Sequence, residues 1–209
     1  DVLPLLIAEG CLYNCSFCRV KSGRSFRSRS QAEVRQQLRE VLRLVGEDVV
    51  NVNAVFLGQD DALHAGRELV MDTARLSLDA LRESPLRERF LFLFASVHSL
   101  LGTPEELWRD LAELPCRTYV NVGLESADQE TMDGLGKPVA VGEVEEAFRR
   151  MLDINARYER VEVSANFVAD PDLPAAHWRE LERLLGQGPD RPRSKGTVYL
   201  SPLHGGRRR

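Results

Sequence analysis

The chain has 209 residues, with 28 Lys and Arg against 32 Asp and Glu for a formal net charge of −4, 43% hydrophobic residues and four Cys. That length admits one large domain or two small ones, and the balance of charged and apolar residues excludes a disordered, collagen-like or low-complexity chain. No window approaches the ~18 apolar residues of a spanning helix, and the N-terminal DVLPLLIAEGC lacks a signal peptide's basic flank and long apolar region, so a cytoplasmic protein without membrane contact is expected.

In chain order, β-branched or aromatic runs alternate with segments whose apolar residues recur three and four apart. The strands are predicted at Val2–Ala8, Val49–Leu57, Phe90–Val97, Tyr119–Leu124, Val161–Val168 and Thr197–Leu200. Between them lie predicted helices at Gln31–Val45, Arg67–Arg82, Pro104–Leu114, Val144–Asn155 and Pro174–Leu185. Such alternation predicts an α/β domain of parallel strands with right-handed crossovers. A complete (βα)8 barrel needs roughly 250 residues, so the chain is short by about two units. A partial (βα)6 TIM-type barrel is expected, with a doubly wound sheet as its rival. The rival's Gly-rich phosphate turn after the first strand is missing. No linker or composition shift divides the chain, so residues 1–209 are expected to form a single core domain, which a longer chain could contain.

Where the rival would carry glycines, this chain carries cysteines. Cys11, Cys15 and Cys18 fall within GCLYNCSFC, directly after the first strand and therefore at the carboxyl edge of the sheet, where α/β folds place ligands. Spacings of four and three residues let one loop aim three sulfurs at a single inorganic centre, as in iron–sulfur proteins. A disulfide is disfavoured in a reducing compartment. Structural zinc normally takes four ligands, and His64, His98, His177 and His204 are isolated from one another in sequence. Cys116, at the opposite edge, reads as a small buried hydrophobe.

The Cys-x-x-x-Cys-x-x-Cys spacing, with Phe17 before the last Cys and a six-unit βα order, resembles the radical S-adenosylmethionine (SAM) superfamily across essentially the whole chain. The resemblance implies a partial (βα)6 barrel and a [4Fe–4S] cluster held by three Cys, with SAM chelating the open iron. It also implies reductive cleavage of SAM to a 5′-deoxyadenosyl radical acting on substrate, and an external flavodoxin- or ferredoxin-like one-electron donor. FLGQDDAL stands where the superfamily carries a Gly-Gly-Glu-like turn, so Gly58, Gln59, Asp60 and Asp61 are candidates for holding the SAM amino group; a helix cap is the other use of Asp60 or Asp61. The segment GLES is likewise shared, making Glu125 and Ser126 candidates for the SAM amino acid or ribose. ANFVADPDLP replaces the superfamily's Gly-rich segment near adenine, which assigns adenine packing to Phe17 and to backbone near Leu200.

Alternation places Asn121, Gly123 and Glu125 on one strand face, and Glu162, Ser164 and Asn166 on another. Helices should cover the outside of the sheet, so a polar inner face is expected, lining a lumen for a polar ligand, with Ser164 and Asn166 as further SAM candidates. Arg19, Lys21, Arg24, Arg27, Arg29 and Arg35 against Glu33 suggest a basic rim for an anionic substrate, RNA included. The cluster stretch is similar to tRNA methylthiotransferases, and LGQDDAL with GLES to Elongator-catalytic-subunit-like proteins. A non-catalytic cluster- or zinc-binding module is the alternative. His98, after the third strand, is an acid–base candidate, although a lone His is more often structural.

Overall fold

Each long strand divides its residues between two environments, and that division organises the molecule. The computed structural model describes residues 1–13, 15–18, 25–58, 61–82, 84–86, 88–186 and 195–203. In chain order the elements are β1 (Val2–Leu6), β2 (Ala8–Glu9), β3 (Arg27–Ser28), α1 (Gln31–Val45), β4 (Ala54–Gly58), α2 (Arg67–Ala80), β5 (Phe90–Ala95), α3 (Val97–Gly102), α4 (Glu105–Glu113), β6 (Arg117–Glu125), α5 (Gln129–Gly134), α6 (Val141–Arg157), β7 (Val161–Ala169), α7 (Ala175–Gly186) and β8 (Val198–Pro202).

Six strands form one parallel sheet in sequence order, β1-β4-β5-β6-β7-β8, leaving β1 and β8 at its edges. This is the expected partial barrel, and it is not the doubly wound sheet, whose strand order would reverse at a switch point. Leu3, Leu5, Val55, Leu57, Leu91, Leu93, Val120, Val122, Val161 and Val163 point outward, are at most 1% exposed and form a core under the helices. Burying a side chain of that size contributes roughly 1.5–3 kcal/mol, so this face anchors the fold. The alternate residues, among them Phe56, Phe92, Tyr119 and Asn121, face the lumen and are only half-buried.

Departures from the predicted elements have local causes. Val49 and Val50 lie in a 3-10 helix, Gly46–Asn51, because the chain turns at Gly46 (φ 57°) between α1 and β4. Ser96 ends β5 and caps α3, its hydroxyl accepting from the Ser99 amide, so Val97 starts a helix that the apolar run concealed. α5 is a six-residue helix capped by Asp128, too short for a periodic signal. The β2–β3 ribbon pairs only Ala8 with Ser28 and Glu9 with Arg27, below what alternation reveals.

Candidate functional site

The three cysteines leave the carboxyl edge on a loop whose base is tied by the β2–β3 ribbon. Its far side docks on the turn after α5, where the Ser16 amide and hydroxyl both donate to the Leu135 carbonyl at 2.8 and 2.7 Å. Gly136 (φ 62°) makes that turn; a Cβ there would lie 3.4 Å from the Ser16 nitrogen. The Tyr13 amide donates to the Cys11 Sγ at 3.4 Å, and the Cys18 amide to the Cys15 carbonyl at 3.3 Å, curling the loop inward. Cys15 is buried, while Cys11 and Cys18 are half-buried. Burial pushes the Cys15 thiol up to about 11, Lys137 pulls it down, and Cys11 and Cys18 lie close enough to push it up further. Such a thiol gives up its proton readily only to a metal.

The charge beside Cys15 belongs to a second structure. β6 breaks register between Gly123 and Glu125, and Glu125 sits at φ 64°. The break folds its carboxylate back over Gly123, where a Cβ would lie 2.4 Å from Glu125 Oε1. Lys137 Nζ donates to Glu125 Oε1 at 2.9 Å and to the Gly123 carbonyl at 2.6 Å, and it lies 5.4 Å from the Tyr13 ring centroid. One ammonium therefore joins the β6 bulge, the α5 turn and the cysteine loop.

A second carboxylate behaves differently. Asp61 is 1% exposed; Oδ1 accepts weakly from the His64 amide at 3.4 Å, and Oδ2 is buried without a hydrogen-bond partner. It lies near Tyr13, whose hydroxyl accepts from the His98 amide at 3.2 Å and which burial pushes up to about 12.

The remaining candidates are distributed as follows. Gly58 ends β4, and its missing Cβ makes room for the Phe56 ring, which would otherwise be 2.4 Å away. Gln59 and Asp60 lie outside the described residues, as do Arg19, Lys21, Arg24 and His204. Phe17 is half-buried beside Cys18. Ser126 is fully buried, its Oγ 2.8 Å from His177 Nδ1 and accepting from the Asp128 amide at 3.0 Å. Ser164 and Asn166 face the lumen with Asn121. Of the basic rim, Arg27 and Arg29 pair with Glu33 and Glu9, and Arg35 is exposed on α1. The His98 Nε2 lies 2.9 Å from Glu143 Oε1, a partnered surface histidine.

Sequence reasoning missed Lys137, Tyr13 and His177. The available signal was composition: Lys137 is one of three lysines in a chain that otherwise uses arginine. Nothing local marks Tyr13 or His177, because their partners are far away in sequence.

Set against known proteins, the model of the radical SAM superfamily matches residues 5–185. The chain belongs to the radical SAM superfamily. No curated protein sequence matches it. Among solved structures, it is similar to a radical SAM methyltransferase from Sphaerobacter thermophilus (TM-score 0.63, 20% identity, 97% of this chain and 56% of that one). It is also similar to the cobalamin-dependent S-adenosylmethionine radical enzyme OxsB with aqua-cobalamin bound (0.59, 15%, 97% and 28%) and to methylornithine synthase PylB (0.57, 12%, 97% and 53%). The chain thus spans between about a quarter and just over half of these proteins, and at such identities the likeness concerns the fold.

Members of this superfamily bind a [4Fe–4S] cluster and SAM and draw an electron from an external donor. The residues present fit both groups. Three thiols share one loop with Cys15 at its buried centre, and the unpartnered Asp61 oxygen offers an acceptor to an ammonium. Among the described residues no three His, Cys, Asp or Glu side chains are grouped as a single metal ion requires. No described helix is long and apolar enough to cross a membrane.

Proposed function

We propose that this radical SAM protein is a catalyst, that Cys11, Cys15 and Cys18 ligate its cluster, and that residues 1–209 act as one core domain. The observation that carries the reading is the pairing of this buried thiol loop with a buried, unspent carboxylate oxygen on Asp61. When bound, the cluster and SAM supply reductive cleavage of the sulfonium and a carbon radical for hydrogen abstraction. The protein's part is to orient and to exclude water. Asp61 accepts from the SAM ammonium, with Gln59 and Asp60 beside it in the chain and Gly58 at the strand end. Glu125 and Lys137 hold the bulge and the α5 turn against the cysteine loop, so the loop's shape exists before the cluster arrives. Ser126, buried against His177, fixes the chain as it leaves β6. Phe17 would pack on the adenine of bound SAM, and Ser164 and Asn166 offer neutral hydrogen-bonding groups inside the barrel.

The GCLYNCSFC stretch and the GLES turn support a place beside the Elongator-catalytic-subunit-like and methylthiotransferase branch, with a flavodoxin- or ferredoxin-like donor in a cytoplasmic setting. Anaerobic reconstitution with iron and sulfide, followed by dithionite and SAM, tests the reading. About four irons per chain and accumulation of 5′-deoxyadenosine are expected. An iron-loaded protein that binds SAM without cleaving it would instead mark a non-catalytic module.

A further inference from the structure

The lumen is a cavity of about 780 Å³ whose walls differ in chemistry. Phe56, Phe92 and Tyr119 sit at one register level across β4, β5 and β6, since Phe56 pairs with Phe92 and Phe92 with Tyr119. Phe92 stacks on Tyr119 with ring centroids 5.4 Å apart, and Phe56 meets Phe94 edge-on at 5.3 Å. Phe94 is 43% exposed, a large ring turned toward the opening with half its surface uncovered. The other wall, on β6, β7 and β8, presents neutral groups. Asn121 Nδ2 donates to Ser164 Oγ at 3.0 Å, and the Ser201 hydroxyl donates to Asn166 Oδ1 at 2.7 Å. The Asn121 carbonyl and the Asn166 amide hydrogens retain capacity for a ligand.

Charge is what this wall lacks. Among the described lining residues none is Lys, Arg or His. The one acid among the described lining residues, Glu162, accepts on Oε1 from the Gly196 amide and the Thr197 hydroxyl, both at 3.2 Å, so it secures the entry to β8. The buried cation Lys137 is engaged by Glu125 and Gly123, and Lys195, whose charge is felt by Glu162, is held by the carbonyls of Tyr158, Glu159 and Val161. An anion entering the lumen would lose water and gain no counter-ion, whereas a flat ring would gain aromatic contact and edge hydrogen bonds.

We propose that the substrate of the reaction carries an uncharged aromatic or heteroaromatic ring that is held in this lumen, between the Phe56/Phe92/Phe94/Tyr119 wall and the Asn121/Asn166 amides. A carboxylate or phosphate attached within two atoms of that ring would enter the lumen with it and is excluded. This inference rests on the function proposed above, and it keeps the anionic groups expected at the basic rim out of the lumen.

The test uses the anaerobically reconstituted protein saturated with SAM and three probes that share one ring, indole, indole-3-acetate and tryptamine, with neutral indole-3-acetamide as the size control for the anion, read by ligand-observed NMR titration. Indole is expected to bind at least about tenfold more tightly than indole-3-acetate, since only the latter buries an uncompensated charge. Phe94→Lys, checked for folding by circular dichroism, is expected to erase or reverse that preference. Equal binding of the anion to the unaltered protein overturns the proposal. Tighter binding of tryptamine than of indole does so too, because Glu162 would then be a counter-ion. Loss of indole binding when SAM is added also overturns it, because the cavity would be the seat of the cofactor's own adenine. 5′-Deoxyadenosine formation is measured on the same preparation. Its absence with indole selectivity intact sinks the proposed function alone, and its presence without selectivity sinks the lumen proposal alone.

Discussion

Two carboxylates stand at the carboxyl edge of the sheet in opposite conditions. Glu125, at the end of β6, is bound to Lys137, and the two side chains are 10% and 4% exposed. Asp61, after β4, is as deeply buried and has an oxygen with no partner. A buried charge with a cation of its own belongs to the fold, whereas one left unsatisfied is a debt that a ligand settles. By that contrast we propose Glu125 as a latch and Asp61 as a receptor, although the sequence offers them as equals.

The largest expected effect removes what the latch serves. Cys15→Ser exchanges a soft ligand for a hard one at the buried centre of the loop while leaving the outer-face core untouched. Iron content should fall from about four per chain to near zero, with the far-UV spectrum unchanged. Full iron retention in that variant would remove Cys15 from the ligand set.

Next comes the latch itself. Lys137→Met leaves Glu125 buried without its cation, for an expected loss of about 3–5 kcal/mol in stability measured by denaturant unfolding. Adding Glu125→Gln should recover much of that loss, because the uncompensated charge is gone. Equal instability of the single and double variants would mean that Lys137 acts through packing on Tyr13 rather than through charge.

Asp61→Asn should act the other way. Removing an unpaired buried charge should leave stability unchanged or raise it, while SAM affinity weakens by about tenfold through loss of a charge-assisted hydrogen bond. Isothermal titration of the reconstituted protein measures the second effect and thermal melting the first. A destabilised variant with unchanged affinity would return Asp61 to a capping role beside His64.

The asymmetry between what was and was not legible follows range. The helix over Gln31–Val45 and the strand over Phe90–Ala95 are readable because their apolar period is local. The cysteine loop is readable because three ligands lie in eight residues. Strand alternation correctly placed Asn121, Glu162, Ser164 and Asn166 on the lumen. It could not anticipate the bulge at Gly123, which carries Glu125 out of that alternation. Nor could it find Lys137, which becomes the partner of Glu125 and a neighbour of Cys15 only once α5 reverses the chain.

His177 offers the smallest effect and tests the same distinction between spent and unspent groups. It is fully buried, Nε2 lies 3.1 Å from the Val168 carbonyl, and Nδ1 faces the Ser126 hydroxyl. A carbonyl only accepts, so Nε2 carries the proton and Nδ1 accepts from Ser126. Burial holds the imidazole below its ordinary value. As pH falls through about 6.5 the unfolded chain therefore takes up a proton before the folded one does, so stability is full above that pH and declines below it. His177→Gln should flatten the decline between about pH 7 and pH 5 in denaturant titrations, because the variant titrates in neither state there. An unaltered slope would mean that the histidine takes up its proton equally readily in the folded and the unfolded chain. Ser126 would then be its acceptor, with a hydroxyl hydrogen left for the cofactor site instead of for the fold.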